Sequence, residues 1–156
     1  HPTNCLAQLA FVPCCTITTM LIGQVLASDC YHLRESILRP GQPKENWTFD
    51  TDDDPRAIHL GVKNGEDIIG VISLLPEKNE EVPNHPMRLR GMAVKKHMQG
   101  QGVGRQLLVA LLANANDGVW CTARKHVAEF YTKNGFEIFG AEFTMNNMPH
   151  VYMRSI

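Results

Sequence analysis

Three alternating glycines stand in Gln99-Gly100-Gln101-Gly102-Val103-Gly104-Arg105, between a strand-like run (Arg88 to Lys95) and a helix-like run (Val103 to Ala115). Glycine lets a chain turn tightly and leaves its N–H groups open to a close-approaching ligand. A helix starting there adds its partial positive charge. Together these make an anion cradle suited to a pyrophosphate. Spacing separates the known versions of such a cradle. A P-loop needs GxxxxGK before Ser or Thr, and this chain has no Gly-Lys pair. A dinucleotide fingerprint needs GxGxxG, but Arg105 occupies the place of the last glycine. The pattern that remains is Gln99-x-x-Gly102-x-Gly104.

The elements around the loop follow from periodicity. Met20 to Leu26 is an apolar first strand. Ser28 or Asp29 offers an N-cap to a helix carrying Tyr31, Leu33, Ile37 and Leu38, which Pro40-Gly41 ends. Gln42 to Pro55 is polar and turn-rich, a long loop. Ala57 to Lys63 alternates, Asn64-Gly65 signals a type I′ hairpin, and Asp67 to Leu75 returns as a nearly continuous apolar strand. Pro76 to Pro86 is a charged loop. Gly91 interrupts the strand Arg88 to Lys95, which suggests a bulge or a close backbone approach. After the loop helix come a short strand (Gly118 to Thr122), a helix (Ala123 to Asn134) and two strands (Phe136 to Met145, His150 to Ser155). Thr122 reads as the N-cap of that helix, and Gly135 as its C-terminal stop. The order β, α, β, β, β, α, β, α, β, β predicts a mixed α/β (α+β) domain around one sheet.

The chain has 156 residues, 44% hydrophobic and 20% charged, with a formal net charge of −1. One domain fits that length. The charge argues against a general nucleic-acid binder. The 5 cysteines are odd in number and form no CxxC pair, against a disulfide framework or a zinc site. A reducing cytoplasm is the expected compartment, with no metal and no membrane span. Residues 1–19 contain no Lys, Arg, Asp or Glu. They read as an N-terminal extension, either foreign or packed on the domain, ahead of one domain over residues 20–156. Asp50-Thr51-Asp52-Asp53-Asp54 resembles the start of a calcium loop, but Pro55 stands where Gly is needed. It is expected to be a solvated acidic loop, with Trp47 and Phe49 anchoring it or lining a cleft. Cys121 is expected to be an inert core thiol.

Three blocks together resemble the GNAT (Gcn5-related N-acetyltransferase) family. They are Arg90-Gly91-Met92-Ala93-Val94, the Gln99-x-x-Gly102-x-Gly104 loop, and Ala128-Glu129-Phe130-Tyr131-Thr132-Lys133-Asn134-Gly135-Phe136. The likeness is dense from Leu89 to Phe136 and thin before Ala57. It implies the GNAT-like acyl-CoA acyltransferase fold, a mostly antiparallel central sheet splayed at the cofactor and flanked by helices. It implies acetyl-CoA as co-substrate and direct transfer of the acetyl group to an amine of a small molecule or protein. Met92, Ala93 and Val94 would border the pantetheine arm, with an N–H near Met92 polarising the thioester carbonyl. Gln99, Gly100, Gln101, Gly102, Val103, Gly104 and Arg105 would hold the pyrophosphate. Arg105 is alternatively an ordinary exposed first-turn residue. Thr122 and Phe130 would lie near the cofactor, and Tyr131 would give a hydrogen bond to the leaving thiolate.

The general base stays open among His97, Glu81, His85, His150 and a water relay. Arg88 and Arg90 hint at an acidic or carboxylate-bearing acceptor, or else they are paired on the surface. A homodimer is common among similar proteins. The other class of function these residues allow is a module that binds acyl-CoA without turning it over.

Overall fold

The computed structural model describes residues 10–14 and 17–156. The strands are β1 (Val12–Cys14), β2 (Ile17–Gln24), β3 (Ile58–Asn64), β4 (Asp67–Pro76), β5 (Met87–Val94), β6 (Val119–Arg124), β7 (Phe136–Met145) and β8 (Met148–Ser155). The helices are α1 (Ala27–Leu33), continued by a π-helical turn Arg34–Leu38, then α2 (Val103–Ala113) and α3 (Ala128–Thr132). The strands follow one another in the sheet as β1-β2-β3-β4-β5-β6-β8-β7. This is the expected mixed α/β fold with an open sheet. The chain forms two compact units, residues 1–75 with 90–114 and residues 76–89 with 115–156.

In the first unit, β2, β3 and β4 form an antiparallel meander. β4 reads as an almost unbroken apolar run because it is buried on both faces. Val71 joins Val25, Cys30, Leu33 and Ala93 in one core cluster, on the side of α1. Gly70, one residue earlier, faces α2 instead. A Cβ there would stand 3.1 Å from Val103 and from Leu107. The apolar stripe of α2 supplies Val103, Leu107, Leu108 and Leu111, all buried. The N–H of Leu26 is held by the Asp29 carboxylate at 2.9 Å. Asp29 therefore sits three residues inside the helix end and caps from there; neither Ser28 nor Asp29 is the N-cap residue itself.

The β3–β4 hairpin turns at Gly65-Glu66, because Asn64 still pairs with Asp67. Only Gly65 has positive φ, 64°. The expected type I′ turn at Asn64-Gly65 is thus corrected to one with glycine first, the type II′ pattern. A loop with left-handed φ at both central residues occurs instead at Asn146 (53°) and Asn147 (60°), between β7 and β8.

The expected extension, residues 1–19, falls largely outside the described residues. Of its described part, Val12 and Pro13 pair with Ile22 and Leu21. Phe11 lies over Gly23 and under the Lys63 ammonium, 4.8 Å from the ring centre.

In the second unit β8 lies between β6 and β7, antiparallel to both. The start of β5 joins β6 in parallel through Met87↔Val119 and Arg88↔Trp120. The helix expected from Ala123 is shorter. β6 extends to Arg124, a 3₁₀ turn spans Lys125–Val127, and α3 follows. α3 stops at Thr132 with Lys133 as its C-cap, two residues before the expected end, and Gly135, at φ 89°, lies in the turn that follows.

Candidate active site

β5 ends at Val94, and a 3₁₀ turn (Lys96–Met98) carries the chain into the glycine loop. Gly100 and Gly102 take φ of 77° and 84°, which side-chain-bearing residues adopt only with strain. Among the described residues, neither has an atom within 4 Å of where a Cβ would stand, so none of them covers the loop there. Gly102 precedes α2 directly and supplies no capping side chain, and the first turn holds no acidic residue. The first protein hydrogen bond of this end runs from the Gln106 N–H to the Gly102 carbonyl, 3.0 Å. Among the described residues no acceptor meets the N–H groups of Val103, Gly104 or Arg105. A helix end left open in this way has donors and dipole available for an anion.

The two glutamines brace the loop. Gln99 Nε2 donates to the Val94 carbonyl at 2.9 Å, and Gln101 Nε2 to the His97 carbonyl at 3.1 Å. A Cβ on Gly104 would lie 3.8 Å from Met92 Sδ, so the end of β5 and the first turn of α2 are in contact. Ala93 points the other way, into the core with Val71 and Leu33. The side chain of Val103 is buried, and Arg105 is exposed.

Thr122, Phe130 and Tyr131 belong to the second unit. Thr122 is not an N-cap. It lies inside β6 opposite Tyr152, and its hydroxyl accepts from Arg88 Nη2 at 3.3 Å. The strand continues past it because Ala123 and Arg124 still pair with β8. Tyr131 is 6% exposed, edge-on to Phe130 (5.2 Å) and Phe136 (5.5 Å). Burial, with the Cys121 thiol beside it, pushes its phenol pKa well above the usual value. It is therefore a neutral O–H donor at any physiological pH. Burial likewise raises Cys121 to about 12, an inert thiol as expected.

Sequence reasoning missed a buried polar cluster in the first unit. Arg34 is fully buried and binds the Asp52 carboxylate through both terminal nitrogens, at 2.8 and 2.9 Å. Its Nη2 also donates to Ser73 Oγ at 2.9 Å. His59 Nδ1 lies 2.7 Å from Ser73 Oγ, and Nε2 lies 2.8 Å from the Asp52 carbonyl. A carbonyl only accepts, so Nε2 carries the proton and Nδ1 accepts from Ser73. Neutral His59 satisfies every bond, and burial lowers its pKa accordingly.

Asp52, 4% exposed, thus corrects the expectation of a solvated Asp50–Asp54 loop. Two guanidinium groups lie over the Phe49 ring, Arg34 at 4.2 Å and Arg90 at 3.8 Å. Gly91 has φ 66°, and a Cβ there would meet Arg34 Nε at 2.9 Å. The glycine within β5 is explained by the arginine beneath it. A signal for the cluster was present: Arg34 follows Cys30 by four residues on the apolar helix face, and Ser73 and His59 interrupt apolar strands.

The candidate bases differ in setting. His97 and Glu81 are exposed. His85 Nε2 donates to the Ser155 carbonyl (2.9 Å), and buried His150 Nδ1 to that of Met148 (2.9 Å). Arg88 is paired with Glu77 at 2.8 Å and lies 4.7 Å over the Trp120 ring.

Residues 42–156 match the family model described as "Acetyltransferase (GNAT) domain". The chain is 32% identical over 138 residues to the uncharacterized N-acetyltransferase YitI of Bacillus subtilis, covering 85% of this chain and 93% of that one. Its fold is similar to that of Escherichia coli ElaA, with TM-score 0.69 and 18% identity over 88% of this chain and 99% of that one. It is also similar to an aminoglycoside 6'-N-acetyltransferase complexed with coenzyme A, with TM-score 0.62 and 16% identity over 86% and 95% of the two chains. The sequence matches, the fold and the glycine loop after β5 agree: this chain belongs to the GNAT acetyltransferase family.

Proposed function

We propose that the chain is an acetyl-CoA-dependent N-acetyltransferase, residues 20–156 forming its one catalytic domain. The observation that carries this reading is the open N-terminus of α2, with left-handed Gly100 and Gly102 ahead of it. Such an end fits a diphosphate, and the coenzyme A seen in a structural relative carries one. When bound, acetyl-CoA supplies an acetyl group activated as a thioester. The N–H groups from Gln101 to Arg105 hold its diphosphate, with Arg105 adding a charge-assisted contact. The backbone of Met92 and Val94 borders the thioester arm, and a donor near Met92 stabilises charge developing on the carbonyl oxygen. The acceptor ammonium loses one proton to solvent, its neutral nitrogen bonds to the carbonyl carbon, the carbon–sulfur bond breaks, and the second proton leaves the nitrogen through water to the departing sulfur, giving amide and free thiol. Tyr131 donates a hydrogen bond to the departing sulfur. Its buried, neutral phenol supports that role.

The test is release of free thiol from acetyl-CoA in the presence of a panel of amines, polyamines, amino acids and peptides. Amine-dependent release supports the reading. Saturable acetyl-CoA binding with no release from any amine would favour a non-catalytic acyl-CoA module.

A further inference from the structure

An open cavity of about 550 Å³ lies in the second unit, between the Glu77–Glu81 segment and one face of β6, β8 and β7. That volume suits a small molecule. One wall is aromatic: Tyr152 packs on Phe143 at 4.6 Å, and Trp120 follows at 6.4 Å. Arg88 is in the lining, but its charge is already answered. Nη1 donates to Glu77 at 2.8 Å, Nη2 reaches Thr122, and the guanidinium lies over Trp120. The remaining charged groups of the lining are the Glu80 and Glu81 carboxylates and the Lys78 ammonium. The balance is one negative charge, beside an aromatic wall of Tyr152, Phe143 and Trp120.

We infer that this cavity takes the acceptor, and that the acceptor is a cationic primary amine on an aromatic or hydrocarbon body without a neighbouring carboxylate. The inference rests on the acyl-transfer reading above. It departs from the hint of a carboxylate-bearing acceptor drawn from Arg88 and Arg90: of the two only Arg88 lines the cavity, and Glu77 neutralises it there. Glu80 and Glu81 draw the ammonium in, and the rings hold the apolar body. A carboxylate on the amine-bearing carbon meets the same two glutamates and is repelled.

Phenethylamine and phenylalanine differ by that one carboxylate and serve as the probes. At saturating acetyl-CoA, kcat/KM for phenethylamine is expected to exceed that for phenylalanine at least tenfold. The Glu80→Gln/Glu81→Gln variant is expected to raise the phenethylamine KM severalfold and to narrow the gap between the two amines, with acetyl-CoA affinity unchanged. Equal or faster turnover of phenylalanine, or a phenethylamine KM unmoved in the variant, overturns the assignment of the cavity alone. Thiol release with neither probe but with another amine also overturns it. Absence of acetyl-CoA binding, read separately by calorimetry, overturns the acyl-transfer reading itself.

Discussion

Tyr131 and Arg34 are both buried, and each hides a different chemistry. A phenol enclosed by Phe130 and Phe136 keeps its proton, so the role proposed for it is donation. Tyr131→Phe keeps the ring packing and removes the donor. It is expected to lower kcat about 100-fold or more, within the range for a positioned acid, while the acetyl-CoA Kd stays unchanged. Steady-state kinetics with calorimetry checks this; an unchanged kcat removes Tyr131 from the mechanism. Arg34 is structural. Arg34→Met strands Asp52 as a buried charge without its partner and is expected to cost about 3–5 kcal/mol by denaturant midpoint. Adding Asp52→Asn should recover part of that loss. The role proposed for Tyr131 came from a motif. That of Arg34 was not legible, because the partner that makes its burial tolerable, Asp52, lies in a loop whose local composition reads as solvated.

At the scale of elements, polar bonds tie β3, β4 and the loop after α1 together through His59. Buried His59 binds its proton less readily than an exposed histidine. Unfolded, it takes one up below about pH 6.5. Below that pH the unfolded state binds more protons, so stability falls as pH falls; above it the contribution is complete. The melting temperature is therefore expected to drop between pH 7.5 and 5.5, and His59→Gln to flatten that drop. Identical slopes would show that His59 is not the group responsible. Within β5, Gly91→Ala places a Cβ 2.9 Å from Arg34 Nε at a left-handed φ. The expected cost is about 1–3 kcal/mol, read as a lower melting temperature. The β3–β4 pair and α2 were readable from alternation and helical spacing. The boundary between β6 and α3 was not, since Thr122 is as good a cap as a strand residue and only its pairing with β8 decides.

For the whole molecule, the family was legible because its signature is local in sequence: all three blocks that carry it fall within residues 90–136. The two-unit division and the cavity of the second unit were not, because they depend on contacts between segments far apart in sequence, such as Glu77 with Arg88 and Trp120. If acetyl-CoA binds the folded chain alone, it stabilises it by about 2.7 kcal/mol at one hundred times its Kd. A thermal shift that rises with acetyl-CoA concentration is the expected sign. The most direct measurement is an amide-resolved NMR titration of the chain with acetyl-CoA. Saturable shifts largest at the N–H groups of Gln101 to Arg105, with further shifts at Met92 to Val94, are predicted. Unmoved loop amides at saturating acetyl-CoA would contradict the account.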